Sequence, residues 1–263
     1  MDYQAIIVSK SGAVATITLN RPDKRNALNP QLVDELTAAI KELGADASAR
    51  VVVLRGNGPA FCAGADLAVL QTLQTAKYKD NLKDGHRLKD MFHAIYSCPK
   101  PTIAAVHGPA LAGGAGLASV CDFVVAAKEA AFGYTEVRIG FIPAIVMVFL
   151  TRQVGERAAR DLALSGRILN ADEARAMGLV NTIVEAAQLD TTIEQLTKQL
   201  LQNSPQAIAM TKELLPKLWD ASSGTIDSLL TAAVTANAEA RGTDDCKEGV
   251  AAFLEKRKPK WVQ

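Results

Sequence analysis

The sequence predicts an α/β protein with a C-terminal helical module, and three observations carry that prediction. Val51-Val52-Val53-Leu54 and Thr102-Ile103-Ala104-Ala105-Val106 are continuous apolar runs of strand length, the pattern of strands buried on both faces. Helical periodicities alternate with such runs, as right-handed βα crossovers packed around a sheet require. Beyond about Gln153 helical patterns dominate to the end.

The elements follow in chain order. Ile6-Ile7-Val8 and residues 14–19 flank a polar Ser9-Lys10-Ser11-Gly12 and read as a β-hairpin. Asn29 can cap a helix that Pro30 opens, with Leu32, Val33, Leu36, Ile40 and Leu43 on one face and Gly44 at its end. A second helix is expected over 78–96, stopped before Pro99 and Pro101, and Phe123-Val124-Val125-Ala126 forms a further strand. Helices are expected over 171–177, 189–202, 205–218, 226–240 and 244–256. The division drawn from this is an α/β core over 1–195 and a helical region over 196–263 that completes the pocket and packs subunits together.

Of 263 residues, 49% are hydrophobic and 22% charged, which excludes a disordered or collagen-like chain. Twenty-nine basic against 28 acidic side chains leave a net charge of +1, so no whole-chain field recruits nucleic acid or an anionic membrane. Met1-Asp2-Tyr3-Gln4 is unlike a signal or transit peptide. The apolar run 141–150 is too short for a membrane span and carries Pro143. A soluble, cytoplasmic protein is the expectation. Cys62, Cys98, Cys121 and Cys246 are scattered without a Cys-x-x-Cys pair and read as reduced thiols. His86 and His93 share a helix face but have no third ligand at metal spacing, so no metal is expected.

Two segments of small residues each follow a buried strand: Phe61-Cys62-Ala63-Gly64-Ala65-Asp66-Leu67, and His107-Gly108-Pro109-Ala110-Leu111-Ala112-Gly113-Gly114-Ala115-Gly116-Leu117. Small side chains leave backbone N–H groups approachable, and one from each segment would make an oxyanion hole. Taken singly, the glycines of either segment are equally explained by tight packing. Gly114-Ala115-Gly116 half-resembles a dinucleotide fingerprint but lacks the third glycine and the short strand-to-glycine turn. No Gly-x-Ser-x-Gly elbow is present.

Together and in this order, the segments resemble those of the crotonase family, the enoyl-CoA hydratase/isomerase superfamily. Arg21-Pro22-Asp23-Lys24-Arg25-Asn26-Ala27-Leu28 is similar to its N-terminal signature, and Leu164-Ser165-Gly166, Ala171-Asp172-Glu173-Ala174, Gly178-Leu179-Val180 and Phe253-Leu254-Glu255-Lys256-Arg257 resemble later landmarks. The resemblance covers essentially the whole chain. It implies a core of repeated ββα units, a trimer or dimer of trimers, and acyl-CoA as substrate with no further cofactor. It assigns the oxyanion amides to Ala63 and Gly113, and the acid/base to Glu136 within Phe132-Gly133-Tyr134-Thr135-Glu136-Val137-Arg138-Ile139-Gly140. Where family hydratases carry a first glutamate, this chain has Gly116, a gap that would admit a branched or anionic acyl tail. Tyr134 and Ile142 are expected in the same pocket. The coenzyme A arm is assigned to Lys24, Arg25, Ala65, Asp66 and Leu67, with Lys256 reaching a phosphate.

The implied reaction is hydration of a 2-enoyl-CoA. Glu136-Val137-Arg138-Ile139-Gly140 with Pro143-Ala144 resembles a methylglutaconyl-CoA hydratase-like branch, in which the acyl group is branched and carboxylated. A single glutamate also suits double-bond isomerisation between C3 and C2, and a non-catalytic acyl-CoA binder is the third reading.

Overall fold

The computed structural model describes residues 3–220 and 243–262. Strands β1 (Ile6–Ser11) and β2 (Val14–Leu19) form the expected antiparallel hairpin. Helix α1 (Pro30–Ala45) starts where Asn29 accepts the Leu32 N–H, and it runs one residue past Gly44. Then come β3 (Val51–Gly56), α2 (Leu67–Gln74), α3 (Tyr78–Tyr96) and β4 (Thr102–Val106). They are followed by β5 (Ala110–Leu111), α4 (Gly113–Ser119), β6 (Phe123–Ala127) and β7 (Ala131–Gly133). The chain continues through α5 (Ala144–Ser165), β8 (Ile168–Asn170), α6 (Ala171–Ala176) and β9 (Thr182–Val184). Three further described helices are α7 (Leu189–Leu201), α8 (Pro205–Asp220) and α9 (Asp244–Leu254). The helix expected over 226–240 lies outside the described residues.

The main sheet has the order β1-β2-β3-β4-β6-β9, parallel from β2 onward. Alternate residues of its central strands enter opposite cores, as continuous apolar runs require. Val52, Leu54, Ala104 and Val106 join the large core with α1, α3 and α5, whereas Val51, Val53, Ile103 and Ala105 pack with Leu189 and Ile193 of α7. A small sheet, β5-β7-β8, stands apart. Its strands of two and three residues are too short for a period to show in sequence, and α2 and the start of α5 were likewise hidden in small-residue and apolar runs.

One expectation is corrected. A division between residues 195 and 196 cuts α7, whose Leu189, Ile193, Leu196 and Leu200 all pack beneath the main sheet; the helix belongs to the core throughout. Among the described residues, no helix is long and apolar enough to cross a membrane.

Candidate active site

The two small-residue segments meet beyond the C-terminal ends of β3 and β4, joined through their backbones. Cys62 N–H donates to the Pro109 carbonyl at 3.2 Å, and Leu111 N–H to the Cys62 carbonyl at 2.9 Å. Glycine permits this approach. A Cβ on Gly114 would stand 2.0 Å from the Cys62 carbonyl oxygen, and one on Gly64, at φ +90°, 2.8 Å from both the Ala112 Cβ and the Leu111 carbonyl oxygen. The packing and amide-presenting readings of these glycines are therefore one: close packing is what brings the amides together.

The loop after β2 fixes the first segment. Asn26, fully buried at positive φ, donates through Nδ2 to the carbonyls of Asn57 and Ala60, both at 2.9 Å, and accepts the Arg21 N–H. The Arg25 carbonyl accepts the Ala63 N–H at 3.0 Å. Leu28 N–H donates to the Gly64 carbonyl at 2.7 Å, and Asp66 N–H donates to the Leu28 carbonyl at 3.0 Å.

These bonds overturn one expected role. The Ala63 N–H is engaged by Arg25 and is not free for an oxyanion. In the parallel bridge between Leu28 and Ala65, residues 64 and 66 supply the bonds to Leu28, so the Ala65 N–H faces the other way. No hydrogen bond among the described residues engages it, nor the N–H of Gly113, which opens α4, where the first amides lack intrahelical acceptors. The free pair is Ala65 and Gly113. Before Gly113, Ala112 is held at φ 50°, ψ −124°, with its N–H on the Gly133 carbonyl.

Both residues line a cavity of about 860 Å³, shared with Leu67, Leu70 and Leu73 of α2, with Asp84, Leu88 and Phe92 of α3, and with Glu136, Ile142 and Val146. Glu136 opens a short 3-10 turn, Glu136–Ile139, and is 8% exposed. Its Oε2 has no hydrogen-bond partner, and burial pushes its pKa up. No ion pair among the described residues engages Glu136: Lys128 pairs with Glu185, and Arg138 lies against Gly166.

Ile142, Ala65 and Leu67 line the cavity, whereas Tyr134, Gly116, Asp66 and Lys256 do not. Tyr134 is 1% exposed, packed in the core with its hydroxyl unpaired, and burial drives its pKa well up. Gly116 opens no space, since a Cβ there would stand 2.3 Å from a γ-methyl of Val146 and 3.2 Å from the Phe92 ring. Asp66 is occupied structurally: Oδ2 accepts from Arg21 at 2.9 Å while Oδ1 caps α2 through the Ala68 N–H. Burial alone would raise the Asp66 carboxyl, but these donors outweigh it and hold it low. Lys256 is exposed on a tail whose Trp261 carbonyl binds Arg50, just before the N-terminal end of β3. The cavity lies beyond the opposite end of that strand from this anchor, and Lys256 is not among its lining residues.

Lys24 and Arg25 are exposed on the loop that holds the first segment. His107 bonds the Gly58 carbonyl through Nε2 at 2.8 Å, a structural role, while His86 and His93 are exposed. Among the described residues no group of three or more His, Cys, Asp or Glu is placed to hold a metal ion. Cys62, Cys98 and Cys121 are buried free thiols, and burial raises Cys62 and Cys121 to about 12.

Sequence reasoning gave no individual role to Asn26, Asp84, Phe92 or Val146. The α3 positions were legible in principle, because Asn81, Gly85, Leu88 and Phe92 recur at helical spacing. Val146 was not, since nothing in one chain's sequence says what it faces.

The enoyl-CoA hydratase/isomerase family profile matches residues 9–263. A Thermus thermophilus protein named "Putative enoyl-CoA hydratase" is 47% identical over 252 residues, 96% of this chain and 98% of that one. The crotonyl-CoA hydratase of Syntrophomonas wolfei is 34% identical over 100% of this chain and 99% of its own length. The crystal structure of a Mycobacterium smegmatis enoyl-CoA hydratase superposes with a TM-score of 0.92 at 35% identity, covering 99% of this chain and 100% of that one. With a match over nearly the whole chain in sequence and in fold, and with two free amides and a buried glutamate lining one cavity, the chain belongs to the enoyl-CoA hydratase/isomerase family.

Proposed function

We propose that this protein hydrates the 2,3 double bond of a 2-enoyl-CoA. The observation that carries the proposal is the buried Glu136 carboxylate, with its Oε2 unpaired, on the same cavity as the free N–H groups of Ala65 and Gly113. The names of the hydratase relatives support the same reaction. The thioester oxygen accepts both N–H groups, which stabilise the negative charge that develops as water adds at C3. Glu136 takes the proton from the attacking water and returns it to C2, so one molecule of water is gained and the carboxylate is regenerated. A carboxyl pushed up by burial is suited to both steps, since it holds its proton more tightly than an exposed glutamate.

The cavity favours a neutral acyl group. No Lys, Arg or His is among its described lining residues, and Arg138 lies against Gly166 instead. Asp84 adds a second carboxylate whose pKa burial raises, although Arg87 opposes the shift. A carboxylated acyl tail of the 3-methylglutaconyl kind would meet two acids and no counter-ion there. For coenzyme A, exposed Lys24 and Arg25 beside Ala65 and Leu67 are the candidate contacts. Exposed Val148, Leu164 and Ile168, outside the cavity lining, support a homo-oligomer, with a trimer or dimer of trimers as the proposed form.

A second reading keeps the same residues. Glu136 alone could move a proton between C4 and C2 and so convert a 3-enoyl-CoA to its 2-enoyl isomer. A pure acyl-CoA binder has no use for a desolvated carboxylate with an unpaired oxygen, which costs stability. The deciding experiment incubates the purified protein with crotonyl-CoA, 3-methylglutaconyl-CoA and a 3-enoyl-CoA and follows products by mass. A gain of one water on crotonyl-CoA is the expected result. Isomerisation without hydration, or no turnover of any of the three, overturns the hydratase proposal.

A further inference from the structure

Gly116 and Val146 occupy one position between them. Gly116 lies one helical turn beyond Gly113 on α4, about 5 Å along the axis. The space a side chain would take there is filled by Val146 of α5, with its γ-methyl at 2.3 Å and its Cβ at 3.1 Å from a Cβ built on Gly116. Phe92 closes the same point from α3, at 3.2 Å, and its ring also reaches the Gly113 side, 4.0 Å from a Cβ built there. Val146 and Phe92 are 4% and 2% exposed, yet both line the cavity with Glu136.

An acyl chain whose carbonyl oxygen is held at Gly113 has its C3 only two bonds from the carbonyl carbon, within reach of this wall. We infer that Val146 is a specificity-determining residue that sets the width of the site at C3, closing it against a substituent on that carbon. The inference rests on the acyl-CoA hydratase reading above. Val146 takes part in no proton transfer. It acts by occupying space that a 3-methyl group would need, and a methyl-sized mismatch in an apolar pocket is worth about 10–200-fold in kcat/KM.

The test compares crotonyl-CoA with 3-methylcrotonyl-CoA in the wild type, Val146→Ala and Val146→Ile. Val146→Ala is expected to raise the ratio of branched to unbranched kcat/KM about tenfold or more, and Val146→Ile to lower it. A purely structural role would depress both substrates together and leave the ratio unmoved, and a ratio constant within about twofold in every variant that folds overturns the inference. Gly116→Ala provides a second route. Its new Cβ must push Val146 into the cavity and lower the ratio, and Gly116→Ala with Val146→Ala should restore it. Should the wild type hydrate neither substrate, the hydratase proposal fails rather than this one. The width is then read from the dissociation constants of butyryl-CoA and 3-methylbutyryl-CoA, whose ratio must shift in the same direction on Val146→Ala; no shift overturns the inference.

Discussion

The two halves of the site are built by opposite means. The amide half, Ala65 and Gly113, contains no functional side chain. It is held by a dense set of backbone bonds, in which Asn26 binds the first segment, Leu28 pairs with residues 64 and 66, and Cys62 pairs with residues 109 and 111. The half proposed to handle protons is one side chain on a single short turn, Glu136, buried with an unpaired oxygen. Position is over-determined in the first half, whereas the second keeps a group in an unfavourable environment. Damage to the first should therefore appear as lost stability and damage to the second as lost chemistry.

Glu136→Gln should show the largest effect on rate, a fall in kcat of about 10³-fold with acyl-CoA binding retained, measured by turnover and by calorimetric titration. A variant with near wild-type kcat would remove Glu136 from the mechanism. Gly114→Ala should break the other half. With the Cys62 carbonyl 2.0 Å from the new Cβ, the strand-to-helix packing must open, at a cost of about 3 kcal/mol, visible in chemical denaturation. A variant as stable as wild type would mean that the segments are not in contact as described.

The pH dependence of stability sharpens the contrast, because burial raises Glu136 above its ordinary carboxyl pKa of 4.5. Below 4.5 the group is protonated in both folded and unfolded chains and makes no difference. As pH rises the unfolded chain ionises first, so wild type loses stability until the folded-state pKa is passed. Glu136→Gln should therefore be more stable than wild type at neutral pH, with the gap closing under acid; equal stability throughout would show that the carboxyl is solvated. The smallest effect is expected at Ala112, held at φ 50°, ψ −124°. Ala112→Gly should relieve that strain and stabilise by about 1 kcal/mol after glycine's own entropic cost, measured as a shift in Tm.

Much of this was legible in the residues. Asn29-Pro30 marked a helix start because cap and first-turn chemistry are local, and α3 was bounded at Tyr78 and Tyr96 by periodicity and the prolines that follow. Glu136 was singled out through its motif, and the structure buries it on the cavity. The role given to Ala63 failed by two residues, because its N–H is taken by the Arg25 carbonyl and the positive φ of Gly64, +90°, breaks the regular alternation before the free amide of Ala65. Only the bonds made by Arg25 and Leu28 decide which side is already occupied.

The sequence by itself determined the strands that are apolar on both faces, the helices of regular period, the two small-residue segments and the family they resemble. Each of these is a property of neighbours along the chain. Tertiary structure alone decided which amides remain free, that Gly116 is filled by Val146 rather than open, that Asp66 is occupied by Arg21, and that the C-terminal tail binds at the end of β3 away from the cavity. Those facts depend on which residues from distant parts of the chain compete for one volume or one hydrogen bond, and a linear pattern does not carry that information.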